Sequence, residues 1–222
     1  MIKTKPQKIL VIQTAYLGDA ILSTSIIKPL KEIFPKAEIG ILAIPETELI
    51  FKYNPYIEKL FLFNKRALVK KMPSFFKIVY QLHREKYDMA ISLQTSLTSS
   101  LMMILSGIPI RIGFARQKLL THPMDIKKGL PITKRFLLLL KVLTEKEFPV
   151  ETNLYWDKNI GSKAEKNLIE YCSTDRKIVG IAPGSIRATK LWPKEYFAEL
   201  LKKLEGNNIS VFLFGGKEDR AL

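Results

Sequence analysis

The stretch Lys8–Leu22, KILVIQTAYLGDAIL, decides how the rest of the chain is read. Lys8-Ile9-Leu10-Val11-Ile12 is a short apolar run, the pattern of a strand buried on both faces. Beyond the loop the spacing becomes helical: Ile21, Leu22, Ile26, Ile27, Leu30 and Phe34 share one face, and the pattern ends at Pro35. A strand handing over to a helix opens a βαβ unit, and in open α/β sheets ligands bind beyond the carboxyl ends of the strands. The connecting loop, Thr14 to Ala20, is therefore a candidate site. Gly18 offers close approach to the backbone. Asp19, at the helix start, either caps the helix, a contribution of ~1 kcal/mol, or serves as a base.

The alternation continues. Apolar runs at Ile39–Ile44, Lys59–Phe63, Met89–Leu93 and Arg111–Phe114 are predicted strands. Between and after them, helical patterns occupy Pro73 to Arg84, TSLTSSLMMIL (residues 95–105) and Lys134 to Leu143. This predicts an α/β fold with a mostly parallel, doubly wound sheet. A loop-like stretch, Pro149 to Asn159, precedes a polar helix from Ser162 to Tyr171. A second βαβ comes next: strand 178–182, loop PGSIRATKLW, a helix from Pro193 to Leu204 with proline in its first turn, and strand 209–214. The expected domains are 1–158 and 159–222, the second incomplete. Two parallel strands with two helices leave much apolar surface uncovered.

The second loop carries more chemistry than the first. Gly184 is expected to allow an unusual backbone turn, while Ser185, Thr189 and Lys190 place donors just ahead of a helix N-terminus. Free N–H groups and the helix dipole favour an anion there, and a lysine adds a full charge for a phosphate. The plainer alternative makes Lys190 a solvated surface residue. Trp192 is read as the hydrophobic anchor of the loop.

Composition narrows the partners. The 222 residues are 47% apolar and 26% charged, with a net charge of +15 that favours anionic ligands such as nucleic acid, phosphorylated sugars or an acidic membrane surface. The single cysteine, Cys172, excludes an intramolecular disulfide and fits a reducing compartment. The N-terminal apolar run is too short for a signal peptide, and Leu97 to Ile110 falls short of the ~20 residues that span a bilayer. No G-x-G-x-x-G follows a strand, no G-x-x-x-x-G-K-[ST] occurs, and His83 and His122 lack ligand spacing, which weakens dinucleotide, NTPase and metal readings. Interleaved basic and aromatic motifs of nucleic-acid modules are also missing, so no nucleic acid is expected as a partner.

Four stretches taken together resemble the bacterial heptosyltransferases of glycosyltransferase family 9. They are KILVIQTAYLGDAILSTSIIKPLKEIFPKAEIGIL, YDMAISLQTSLTSSLMMILSGIPIRIGF, IVGIAPGSIRATKLWPKEYFAELLKKL and VFLFGGKEDR. The resemblance implies a GT-B architecture: two Rossmann-like domains with acceptor on the N-terminal side and nucleotide sugar on the C-terminal side. It implies metal-independent, inverting transfer of heptose from ADP-L-glycero-D-manno-heptose to the lipopolysaccharide inner core, without a cofactor. By the same resemblance Asp19, in L-G-D, is the catalytic base. Lys190, in K-x-W-P, lies on the donor phosphates. Ser185 occupies a donor-loop position, and Glu218, after Gly215-Gly216, lies near the nucleoside; Gly18, Gly184, Thr189 and Gly216 are the further candidate binding residues that the loops themselves offer. Asp19 and Lys190 are then expected to meet across the cleft.

Basic residues crowd two regions of the expected acceptor domain. Lys52, Lys59, Lys65, Arg66, Lys70, Lys71 and Lys77 form one group; Arg111, Arg116, Lys118, Lys127, Lys128, Lys134 and Arg135 form the other. They suit an acidic acceptor in an anionic leaflet, or they reflect a generally lysine-rich proteome. The resulting expectation is a cytoplasmic monomer, peripheral on the inner face of the inner membrane. The alternatives are a family member using another nucleotide sugar, or a truncated, inactive copy that only binds an anionic glycolipid.

Overall fold

The structure is a computed structural model that describes residues 2, 5–64, 72–125, 129–172, 176–185, 188–205, 207–216 and 219. The chain divides into two compact units, Met1–Asp157 and Lys158–Leu222.

In the first unit, strands β1 (Lys8–Ile12), β2 (Glu38–Ala43), β3 (Lys59–Leu62), β4 (Met89–Ser92), β5 (Ile110–Phe114) and β6 (His122–Met124) form one sheet in the order β3-β2-β1-β4-β5-β6. Every neighbouring pair is parallel. Helices α1 (Leu17–Ser23), α2 (Ile27–Ile33), α3 (Glu48–Lys52), α4 (Met72–Glu85), α5 (Leu97–Leu105) and α6 (Ile132–Leu138) cover it. The apolar run of β1 is buried on both faces. Ile9 and Val11 join a core with Ala20, Ile27, Leu30, Phe51 and Phe136, from α1, α2, α3 and α6. Leu10 and Ile12 join the opposite core with Phe75, Ile78, Leu82, Met102 and Met103, from α4 and α5.

The helix expected to run on to Phe34 is broken. Ser23, Thr24 and Ser25 each donate a hydroxyl hydrogen bond to the carbonyl three residues back, Ala20, Ile21 and Leu22, at 2.6, 2.8 and 2.8 Å. Residues Thr24–Ile26 tighten into a 3-10 turn, as competition from side-chain hydroxyls favours. The restart at Ile27 puts Pro29 in the first turn of α2, where its missing N–H costs nothing.

Strand β6 has no counterpart in the sequence reading. Three residues with a central Pro123 show no period, and proline is tolerated only because this is an edge strand.

At the amino ends of the strands the charges pair off. Glu85, closing α4, holds Lys59 at the start of β3 and Lys8 at the start of β1, the latter at 3.4 Å. The hydrogen bond from Lys59 outweighs burial and lowers the Glu85 pKa below its usual value of 4.5. A depressed carboxyl pKa stabilises above the unfolded-state value and ceases to do so as pH falls through the folded one. Glu85→Gln is therefore expected to lower stability at pH 7 by about 1 kcal/mol or less. In urea melts the gap from wild type should narrow progressively below pH 4.5.

The second unit contains α7 (Lys158–Tyr171), β7 (Lys177–Ile181), α8 (Lys194–Leu204) and β8 (Ile209–Leu213). The two strands pair in parallel, from Lys177 opposite Ile209 to Ile181 opposite Leu213. Pro193 stands at the N-cap of α8, one residue before the helix proper. Trp192 does anchor its loop: its ring meets Phe197 edge-on at 4.7 Å. Ile178, Leu213 and Phe214 are all more than half exposed.

Candidate active site

The strand order places a topological switch between β1 and β4, whose outgoing connections leave for opposite sides of the sheet. Chains diverging at this point leave a crevice at the carboxyl edge, the usual ligand position in such sheets. A crevice of about 240 Å³ opens there. The loop after β1 gives it Gln13, Ala15 and Asp19; the segment after β4 gives Leu93, Gln94 and Thr95. Arg116 comes from beyond β5, and Ile132, Arg135 and Phe136 come from α6. The amide of Gln94 donates to the Thr14 hydroxyl, tying the two diverging loops together.

Asp19 does not cap α1. The N-cap residue is Tyr16, which makes no side-chain cap bond, and Asp19 lies in the first turn. Buried Gln13 fixes the loop around it, donating from Nε2 to the Asp19 carbonyl at 3.3 Å and accepting at Oε1 from the Ala15 N–H at 3.1 Å. Among the described residues no hydrogen bond or ion pair engages the Asp19 carboxylate, and Asp19 lines the crevice. Gly18 is exposed, and a methyl there would meet no atom of the chain within 4 Å. The chain's own packing thus does not require glycine at this position.

The crevice sorts the basic residues that sequence only grouped. Arg111 is structural: its guanidinium donates to the carbonyls of Ile108, Pro109 and Leu119 at 2.7, 3.3 and 3.1 Å. Lys59 is paired with Glu85, and Lys52 with Glu48 at 3.8 Å. Arg116 and Arg135 instead line the crevice. The Arg135 guanidinium lies over the Phe114 ring at 5.5 Å, and its buried Nε has no hydrogen-bond partner among the described residues. A buried donor without a partner is costly unless a ligand supplies the acceptor. Arg135 follows Ile132 by one helical turn on α6, a signal that becomes readable only once the face α6 turns to the crevice is known. Lys65, Arg66, Lys70, Lys71, Lys127 and Lys128 lie outside the described residues.

In the second unit the carboxyl ends of β7 and β8 converge on Asp219. Gly184 has no positive φ, so the unusual turn expected of it is not what its glycine serves. A methyl on Gly184 would instead collide with the Asp219 carboxyl group. The Gly216 N–H donates to Asp219 Oδ2 at 2.7 Å. Sequence reasoning misses Asp219, because its link to Gly184 joins positions 35 residues apart (219 against 184) and leaves no local pattern. Ser185 is half-buried, while Thr189 and Lys190 are exposed in the 3-10 turn Ala188–Lys190. No hydrogen bond or ion pair among the described residues engages the Lys190 side chain. Glu218 lies outside the described residues. No three His, Cys, Asp or Glu side chains among the described residues cluster as a metal site.

The first unit's strand order and its crevice at the switch point define a Rossmann-like α/β protein. Residues 75–222 match the family described as glycosyltransferase family 9 (heptosyltransferase), and the chain belongs to that family. It is 26% identical over 225 residues to lipopolysaccharide heptosyltransferase 2 of Escherichia coli strain K12, covering 96% of this chain and 64% of that relative. The chain thus spans a little under two thirds of that relative's length. The solved E. coli ADP-heptose lps heptosyltransferase II superposes with a TM-score of 0.78 at 25% identity, over 96% of this chain and 66% of that one. A family 9 glycosyl transferase from Veillonella parvula DSM 2008 superposes with a TM-score of 0.87 at 20% identity, over 97% and 64%, and shows the fold. The fold class is thus the GT-B type expected from sequence.

Proposed function

We propose that these two units serve a heptosyltransferase that moves heptose from ADP-L-glycero-D-manno-heptose to the lipopolysaccharide inner core, by an inverting, metal-independent displacement. The observation that carries this reading is the Asp19 carboxylate, free of partners among the described residues, in a crevice it shares with Arg116 and Arg135. An acceptor hydroxyl entering the crevice gives its proton to Asp19 as its oxygen bonds the anomeric carbon. The bond from that carbon to the diphosphate breaks, and its electron pair leaves with ADP. Attack opposite the leaving group inverts the centre. Lys190, with the Gly184, Ser185, Thr189 and Gly216 loops, balances the charge gathering on the diphosphate, while Glu218 is assigned to the nucleoside. Arg116 and Arg135 hold the acidic groups of the acceptor core. Similarity to the E. coli ADP-heptose lps heptosyltransferase II supports the choice of donor. The protein works as a cytoplasmic monomer in peripheral contact with an anionic inner-membrane surface; no helix among the described residues is long and apolar enough to cross it.

The test is to supply ADP-heptose and a lipopolysaccharide core acceptor and to follow ADP release with addition of one heptose by mass. Transfer from a different nucleotide sugar alone would move the protein to another donor within the family. Retention of glycolipid with neither ADP binding nor transfer would replace the enzyme by a glycolipid-binding protein. Loss of one charge-assisted contact of about 1.5–3 kcal/mol means that Lys190→Ala should weaken ADP binding about 10- to 100-fold in a titration. Unchanged affinity would remove Lys190 from the donor site.

A further inference from the structure

Helix α5 carries apolar side chains on its outer face as well as on the face it packs against the sheet. Its small polar residues face inward: Ser99 and Ser100 are buried beside Met102 and Met103. Its leucines face out: Leu97 is 59% exposed and Leu105 51%, with Leu101 and Ile104 on the same outer side. Helix α4, on the same face of the sheet, adds exposed Phe76 and Tyr80 one turn apart. The two helices are joined where the Ser106 hydroxyl donates to the Val79 carbonyl at 3.3 Å. Isolated exposed apolar residues are ordinary, but a whole helix face with aromatics on the adjoining helix marks an interaction surface.

The charge of the segment that carries this face selects its partner. Residues 59–124 contain eleven lysines and arginines against two carboxylates, Glu85 and Asp88. Both carboxylates are engaged at the amino edge of the sheet: Glu85 with Lys8 and Lys59, and Asp88 accepting the N–H groups of Gln7 and Lys8 at 2.7 and 2.9 Å. From Met89 to Met124 the chain has no acidic residue at all. A second copy meeting this face would bring like charges together, whereas apolar side chains on a cationic segment, with the Arg84 guanidinium over the exposed Tyr80 ring at 6.0 Å, match an anionic bilayer, with acyl chains below and negative headgroups around.

We infer that the outer face of α5, with Phe76 and Tyr80 of α4, is the surface by which the protein lies on an anionic lipid bilayer. Thr95 of the crevice is two residues from Leu97, so a sugar anchored in the same bilayer reaches the crevice over a short distance. This deepens the membrane contact in the proposed function and rests on it for the identity of the bilayer. It is tested without donor or acceptor, so that either reading can fail alone.

The protein is sedimented with vesicles of phosphatidylglycerol and phosphatidylethanolamine, and separately with phosphatidylcholine. Binding to the anionic vesicles is expected to be at least tenfold tighter than to phosphatidylcholine, and to fall at least tenfold in Leu101→Ser/Leu105→Ser. A fluorophore on Leu101→Cys should shift to the blue when anionic vesicles are added, a readout that does not depend on the double variant folding. Equal binding to both vesicle types, no loss in a folded double variant, or no shift from the label overturns the assignment. So does a dimer in vesicle-free buffer that the double substitution abolishes, which would give the face to a second copy.

Discussion

Asp19→Asn is expected to slow heptosyl transfer by about 10²–10⁴-fold, the range over which a positioned acid or base acts. The substitution is close to isosteric and removes the negative charge together with the ability to take a proton. It should leave the loop in place, because Gln13 holds the backbone carbonyl of residue 19 and the N–H of Ala15 rather than the carboxylate. It removes no cap, since Asp19 makes none, so the thermal midpoint should drop by the equivalent of at most ~1 kcal/mol from the lost first-turn charge. ADP affinity should not change. The loss should fall on kcat with KM nearly constant, because proton removal belongs to the transition state and not to ground-state binding. Transfer at the wild-type rate by a folded Asp19→Asn protein would remove the base from the mechanism.

The loop that holds Asp19 is legible in sequence because the strand before it is a continuous apolar run, which only a strand covered on both faces tolerates, and because glycine and aspartate then interrupt it. That the Asp19 carboxylate is not a cap is not legible. Capping and catalysis both place a carboxylate at a helix start, and only the backbone, with Tyr16 at the cap, separates them. The crevice arginines show the same limit: Arg111, Arg116 and Arg135 are alike as letters, and they divide into one structural and two crevice residues only through the carbonyls that Arg111 reaches. Parallel strands are readable wherever β-branched and aliphatic residues run together; β6 escapes because its edge position asks for neither burial nor period. Gly184 reads correctly as a position that needs glycine but for a turn, when the cause is a carboxyl group delivered from the far end of the unit.

Gly40→Ala should be the most damaging small change in the first unit. Gly40 lies in β2 between Leu10 of β1 and Lys59 of β3, so its backbone is held by ladders on both sides and cannot retreat. A methyl at this position would run into the hydroxyl end of Tyr87, which is 4% exposed and stacked edge-on against Phe61 at 6.2 Å. Tyr87 cannot readily swing away. Burial, with the nearby carboxylates of Glu85, Glu38 and Glu58, raises its pKa far above the usual 10, the mark of a phenol enclosed by the fold. Overpacking of this kind costs about 1–3 kcal/mol and sometimes more. Since the clash falls on a strand paired on both edges, the upper end is expected in a urea melt. Trimming the obstruction should relieve it: Tyr87→Ala alone should be destabilising, but Gly40→Ala/Tyr87→Ala should be less unstable than the two single losses added together. Neighbours competing for one space are not independent. A Gly40→Ala protein as stable as wild type would mean that the ring finds another position, and strict additivity that the two residues do not compete.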